Sequence, residues 1–329
     1  MRLLALAGLI GLAVATFLIA RHGMTVLSAA ASLGWTGLAA VLAAHLVQVT
    51  LSAAGWRAAL SPLAGVPLRS MVYARWVRES VNSLLPVAQV GGDVVGARLL
   101  VLRGVAVDAS GAGVAVDLSM EVVTQVVFTV IGLALALASG HRGPVIEAAG
   151  IGLVVFAIAV AGFLASQHLG LFRLLERFVD WLLSQWPDFR GRALEGLHEG
   201  VQRIYARRSA LLQCSGLHLL SWLVGGIEVW LSLKFIGAPI GLAEALIIES
   251  LIQAVRSAAF FVPGALGVQE GGLAVFVTLF GLPPDIGLAL SLVKRMRELA
   301  LGLPGLLAWQ AAEGGRLLGW RSRAGVRRP

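Results

Sequence analysis

The stretch RSAAFFVPGALGVQEGG, residues 256–272, decides the fold class. An apolar, helix-like run carries Arg256, breaks at Pro263 and Gly264, reopens through glycines and is followed at once by Gln269 and Glu270. A proline–glycine break beside a carboxylate leaves backbone groups and a charge that lipid cannot satisfy. Inside sequence apolar enough for a bilayer, such breaks persist where they line a cavity or a pathway within the protein.

The rest of the chain supplies that apolar setting. Of its 329 residues, 58% are hydrophobic and 13% charged, and the mean hydropathy is +0.85, far from the balance of a soluble domain. The composition predicts an all-α polytopic membrane protein. One span takes about 20 apolar residues, which leaves room for roughly six to eight crossings and for no separate soluble catalytic domain. The net charge of +8 comes from 24 arginines and two lysines, Lys234 and Lys294. It reads as membrane topology, because cytoplasmic loops collect Arg and Lys, and it gives no sign of nucleic-acid binding. The single cysteine, Cys214, lies in an apolar run; it excludes an intramolecular disulfide and offers no zinc set, so a buried inert thiol is expected.

In chain order, residues 3–20 form a charge-free run longer than a signal-peptide core and read as a first span. Residues 35–60 form a second, in which His45 reads as a packing residue. The segment 69–104 is the most polar part of the apparent membrane region. Arg75/Glu79 and Arg78/Asn82 are i,i+4 pairs able to meet on one helix face. Pro86 then breaks the run, Gly91 and Gly92 loosen it, and Asp93 and Arg98 follow. Its two apolar pieces are each too short to span, which predicts a re-entrant hairpin. Residues 112–138 are a span with Asp117, Glu121 and Gln125 on one face, and 145–166 is an uninterrupted apolar span whose one charge is Glu147. Residues 168–209 carry seven arginines and read as cytoplasmic amphipathic helices on the membrane surface. Residues 211–236 are a span holding Glu228; 243–262 hold Glu249, Gln253 and Arg256 on one face; 286–309 carry Lys294, Arg295, Arg297 and Glu298.

Sliding the chain against itself gives one offset, 177 residues, at which Pro86 falls on Pro263, Asp93 on Glu270, Gly104 on Gly281, Asp108 on Asp285 and Glu121 on Glu298. Breakers and acids carry this register; overall identity between the halves is low. The basic loops then orient the halves. With both termini cytoplasmic, the hairpin around Pro86 enters from the cytoplasm and the hairpin around Pro263 enters from outside. The expected architecture is therefore about six full spans plus two oppositely oriented re-entrant broken-helix hairpins in an inverted repeat. Residues 1–34 are the first span and loop, 35–138 the first repeat, 139–210 a span plus amphipathic helices, 211–310 the second repeat, and 311–329 a basic tail. Inverted repeats whose broken helices meet near the midplane are the pattern of secondary transporters. Each ionisable residue turned toward lipid would cost about 2.5–3.5 kcal/mol near the bilayer centre, so the set must face inward and pair.

At both breaks the chain resembles the lysylphosphatidylglycerol synthase transmembrane, or flippase-like, domain family. The matching residues are NSLLPVAQVGGD (82–93) with Arg98 after it, PGALGVQEGG (263–272), and LSLVKRMREL (290–299). The second block, with LPGLLAWQ (303–310), looks like the hopanoid-biosynthesis-associated branch. The resemblance covers essentially the whole chain. It implies a bacterial inner-membrane protein that moves a lipid or lipid-linked headgroup between leaflets, with membrane lipids and hopanoid-pathway enzymes as the partners to expect. The soluble aminoacyl transferase that bifunctional members carry is absent from this sequence, so lipid synthesis is not implied.

The leading functional reading is a lipid flippase with a polar groove at the repeat interface. Arg78, Arg98, Arg256 and Arg295 would hold phosphate or hydroxyl groups, with Asn82 and Gln269 beside them. Glu79, Asp93, Glu121, Glu270 and Glu298 would balance those charges in the empty groove, and one of them would carry a coupling proton. Alternatives are an integral-membrane transferase acting on a lipid headgroup with Asp93 or Glu270 as general base, or a scaffold for lipid-pathway enzymes. No nucleotide-binding loop, metal-ligand set or cofactor motif is present in the sequence; oligomeric state stays open.

Overall fold

The computed structural model describes residues 26–85, 90–168, 196–259 and 262–325. From residue 34 onward the helices are α1 (Gly34–Leu60), α2 (Leu68–Leu84), α3 (Gly91–Val101), α4 (Val107–Ala138), α5 (Pro144–His168), α6 (Leu197–Ala206), α7 (Arg208–Ile236), α8 (Leu242–Ala258), α9 (Val268–Phe276) and α10 (Pro284–Gly325). Short 3₁₀ turns at Pro263–Ala265 and Val277–Phe280 flank α9. No strand occurs among the described residues. The expected first span at 3–20, Pro86, the amphipathic run at 171–186 and the last residues of the basic tail lie outside them.

Four described helices, α1, α4, α5 and α7, are long and apolar enough to cross a membrane. The protein is a multi-pass, all-helical membrane protein. The sequence reading placed a further span on α10 and the first arm of the second hairpin on α8. Those helices do form, but α8 carries Glu249 and Arg256, and α10 carries Lys294, Arg295, Arg297 and Glu298. The charges lower their hydropathy because these helices face a polar interior. The region read as a basic tail continues α10 through Gly325.

Local chemistry sets the element ends. Pro67, extended at φ −60° and ψ 141°, precedes α2. Pro284 opens α10 with Asp285 in its first turn, where the missing proline N–H is not needed and a carboxylate faces the positive end of the helix. At the second break Gly264 turns left-handed, φ 59°, a conformation open to glycine without steric cost. Shifting the chain by 177 residues carries Gly91 and Val107, the starts of α3 and α4, onto Val268 and Pro284, the starts of α9 and α10.

Two apolar clusters hold the halves together. Around the first hairpin Trp56, Leu60, Met71, Val77, Leu99 and Leu100 are buried together. Around the second, Val229, Leu233, Ile248, Leu251, Ile252, Leu273 and Phe276 do the same. α1 and α7 run against each other, with Gly37 under Phe235 and Gly55 against His218 and the Cys214 carbonyl; Ser52 and Ser221 hydroxyls bond across the seam at 2.9 Å. Small residues at such crossings let helices approach closely where apolar attraction alone does not distinguish partner from lipid. α6 packs Leu197, Val201 and Ile204 with Ala112, Val116 and the buried Cys214. α5 is the outlier, with Ile151, Val154, Val155 and Ile158 facing outward.

The first hairpin closes on Gly92. Its N–H donates to Asn82 Oδ1 at 2.7 Å, and a Cβ there would collide with the Arg78 carbonyl oxygen and the Asn82 amide. Gly92→Ala is expected to cost about 1–3 kcal/mol through overpacking, read as a lowered unfolding midpoint in detergent. Gly65→Ala, where the space is open, serves as the control. A wild-type midpoint for Gly92→Ala would count against this close approach.

Candidate functional site

The polar interior begins on α2. Arg75, Arg78, Glu79 and Asn82 recur at three- and four-residue spacing and share one face. Arg78, almost wholly buried, is a three-way clamp. It pairs through Nε with Asp93 of α3, donates from Nη1 to Asp117 Oδ2 of α4 at 2.6 Å and from Nη2 to Glu121 Oε2 at 3.4 Å. The Trp56 ring lies 5.4 Å from its guanidinium carbon. Arg75 forks onto Glu121 with bonds of 2.9 and 2.5 Å. Asp117 Oδ1 meets His218 Nε2 of α7 at 2.9 Å. The i,i+4 pairs expected from the sequence are therefore not the partners formed. The arginines reach across to α3 and α4, whose buried carboxylates need that positive charge.

The second half repeats the arrangement with different residues. Arg256 of α8 donates to Gln269 Oε1 at 2.6 Å and approaches Glu298 Oε1 at 3.4 Å. Arg295 donates from Nη1 to Glu298 Oε2 at 2.9 Å and from Nε to Glu270 Oε1 at 3.2 Å. Glu121 and Glu298, related by the 177-residue offset, each take an arginine from the first arm of their hairpin. Asp93 and Glu270, related in the same way, also each take an arginine, but Asp93 takes Arg78 of its hairpin's first arm whereas Glu270 takes Arg295 of α10. Glu270 has a second task, since its Oε2 accepts the Gly267 N–H at 2.7 Å and caps α9. Ser291 stands between Gln269 and Glu270, accepting from the amide at 3.0 Å and donating to the carboxylate at 3.2 Å.

The two networks face each other across a cavity of about 240 Å³. Of the residues singled out from the sequence, Arg78, Glu79, Asn82, Asp93, Glu121, Arg256, Gly264 and Glu298 line it. Gln269 and Arg295 stand one hydrogen bond behind, and Glu270 stands behind Arg295. Gly91 and Gly92 form the first turn of α3, and Pro263 opens the 3₁₀ turn of the second break. Arg98 is directed elsewhere and forks onto Glu313 of α10 at 2.6 and 3.0 Å. Five residues beyond Asp93, it is turned roughly 140° around the same helix.

Arg75, Arg297 and His45 belong to the interior but were not on that roster. Arg75 and Arg297 also line the cavity. His45, read as a packing residue, instead bridges two carboxylates: Nε2 is 2.6 Å from Glu79 and Nδ1 is 3.0 Å from Glu228. A signal was present, because Gln48 and Ser52 follow His45 at i+3 and i+7 and make a polar stripe on an apolar helix. His45 lines a second cavity, of about 150 Å³, which shares Arg75, Glu79, Glu121, Arg256 and Arg297 with the first.

The larger cavity is charge-balanced, with four guanidinium groups (Arg75, Arg78, Arg256, Arg297) against four carboxylates (Glu79, Asp93, Glu121, Glu298). Arg75 Nε and Arg297 Nε, both buried, have no protein acceptor, and neither has Arg295 Nη2 behind them. Such donors suit ligands bearing several acceptor oxygens, which guanidinium grips in pairs. One group has the donor types of a metal site: Asp117, Cys214 and His218, with ligand atoms within 4.8 Å of one another. Arg78 already holds the other Asp117 oxygen, and its positive charge opposes a cation there.

Residues 4–305 match the model of the family described as lysylphosphatidylglycerol synthase TM region. Among curated proteins, the chain is similar to a UPF0104 membrane protein of Methanothermobacter thermautotrophicus, 26% identical over 236 residues, which is 66% of this chain and 67% of that protein. No solved structure matches the chain.

Proposed function

We propose, since the chain belongs to the lysylphosphatidylglycerol synthase TM region family, that it moves a lipid headgroup between leaflets through the ion-paired cavity between its two broken hairpins. One observation carries this reading. The cavity is lined from both halves by arginines that can exchange their carboxylate partners for phosphate oxygens, and two of those arginines hold buried donors without a protein acceptor. The lipid tails would stay outside while the headgroup passes.

The same reading takes the halves as an inverted repeat of re-entrant hairpins. Helix starts that recur at the 177-residue offset support it. So do lengths. At 1.5 Å per residue, α2 and α8 extend roughly 25 Å, α3 roughly 16 Å and α9 roughly 13 Å, each short of a hydrocarbon core of about 30 Å. The basic C-terminal sequence favours cytoplasmic termini in an inner membrane. Association with hopanoid synthesis belongs to this proposal through the residues at 263–272 and 303–310.

The test is leaflet exchange in liposomes holding the purified protein, with phospholipid, lipid-linked sugar and hopanoid probes offered separately. Arg256→Ala and Glu270→Gln are expected to lower flux of the transported class about tenfold or more, the effect of roughly 1.4 kcal/mol of lost stabilisation. Both proteins should elute as the wild type does on size exclusion. Undiminished flux in both variants would sink the assignment.

A further inference from the structure

His45 occupies a position whose hydrogen bonds cannot all be made in one protonation state. Its Nδ1 is 3.0 Å from Glu228 Oε2, a group that only accepts, and 2.7 Å from Arg297 Nη1, a group that only donates. An imidazole nitrogen without hydrogen satisfies the arginine, and one with hydrogen satisfies the glutamate. On the other side of the ring, Nε2 is 2.6 Å from Glu79 Oε1, which needs hydrogen on Nε2. The neutral ring with hydrogen on Nε2 therefore bonds Glu79 and Arg297. The doubly protonated ring bonds Glu79 and Glu228, and it sets donor against donor at Arg297.

We infer that His45 is the proton-binding site that couples headgroup movement to a proton gradient, with Arg297 as the element it moves. This inference rests on the transport reading above and adds the driving ion to it. The added proton ends as a new N–H bond on Nδ1, and no other bond is made or broken. Exposure falls inward along the path, with the Glu79 side chain at 35%, His45 at 7% and Glu228 at 1%. Glu79 lines the headgroup cavity, so the proton enters from the compartment the headgroup occupies. Arg297 lines that cavity too and carries an unpartnered Nε. Once displaced from Nδ1 it keeps Glu228 Oε1 at 3.0 Å and Glu298 at 3.5 Å, so it turns within the cavity wall and stays inside the fold.

The charged groups around His45 allow both states. α2 contributes Glu79, with Arg75 held by Glu121 of α4. α7 contributes Glu228. α10 contributes Arg297, and Lys294 of the same helix is neutralised by Glu249 of α8. Arg256 of α8, on the shared wall, is held by Gln269 and Glu298. The two carboxylates nearest the ring welcome an imidazolium, whereas the nearest cation opposes it.

Two measurements test this. Protein with ring-labelled histidine is compared by infrared difference spectroscopy between pH 8 and pH 5, wild type against His45→Gln. An imidazolium band that grows on acidification and is missing in His45→Gln supports the site; a wild-type difference spectrum that the variant reproduces overturns it. Glu228→Gln, which keeps the ring and removes its anionic acceptor, is expected to move that band, and an unmoved band also overturns the assignment.

In liposomes, flux of a fluorescent phosphatidylethanolamine is measured with and without a pH gradient. The gradient is expected to change wild-type flux about fivefold or more, in the range of ordinary site coupling, and His45→Gln flux hardly at all. Equal gradient sensitivity in both proteins refutes the coupling. If no lipid probe moves in any liposome, the transport reading fails while the infrared result still decides whether His45 takes the proton.

Discussion

Arg78→Leu is expected to destabilise the protein by about 3–5 kcal/mol, the usual cost of stripping one partner from a buried ion pair. The residue is 3% exposed and serves Asp93, Asp117 and Glu121 at once, so its removal leaves three carboxylates with less than their share of positive charge. Arg75 still covers Glu121, and His218 still meets Asp117. Asp93 loses its one ion-pair partner among the described residues. Leucine fills part of the space above Trp56, so the loss measures charge more than volume. Arg78→Lys should fall in between, because an ammonium cannot present the planar fork that reaches three acids on two helices. The measurement is an equilibrium unfolding titration with a denaturing surfactant in mixed micelles. A cost below about 1 kcal/mol for Arg78→Leu, the level of an exposed pair, would mean that water reaches these carboxylates.

Lys294→Met is the second large effect. Lys294 and Glu249 pair at 2.8 Å with both side chains almost fully buried, away from the cavity lining. Removing the lysine alone strands Glu249, whose other oxygen accepts from Gln253 at 2.7 Å, and the expected cost is again about 3–5 kcal/mol. Adding Glu249→Gln to the same protein removes the stranded charge but keeps the acceptor for Gln253. The double variant is therefore expected within about 1 kcal/mol of wild type, since neutral replacements of a buried pair are often harmless. The non-additivity is the diagnostic. Additive losses would mean that each residue is held by partners other than the other.

The contrast between these pairs bears on what could be read from the chain alone. Class and breaks were legible because proline, glycine and charge are costly inside apolar sequence, so Pro263, Gly264, Asp93 and Glu270 stand out without any knowledge of partners. Helix starts were less legible. The apolar run of α4 begins at 112, yet the helix begins at Val107, because hydropathy marks contact with lipid and not the first hydrogen-bonded turn. Partners were least legible. His45 meets residues 34 and 183 positions away; the stripe it shares with Gln48 and Ser52 marks a polar face but does not name the partners. Arg98 shows the converse error. It shares a motif with Asp93 and so was grouped with it, but helix rotation sends it to Glu313. The offset between the halves helped where single residues did not, since it related Glu121 to Glu298 before either had a known partner.

Glu270 gives each of its two oxygens a separate duty, one to the Gly267 N–H that begins α9 and one to Arg295 beside the cavity. A carboxylate divided in this way acts as a latch between backbone and charge. If a phosphate draws Arg295 away, the carboxylate loses its charged partner on one side and keeps only the Ser291 hydroxyl there, so it pivots more easily about the other. The first turn of α9 is then held by its cap and by the bonds of Gln269 to Arg256 and Ser291, next to a left-handed Gly264 that offers little resistance to rotation. Occupancy of the cavity and the orientation of α9 are thereby linked through one carboxylate, that of Glu270.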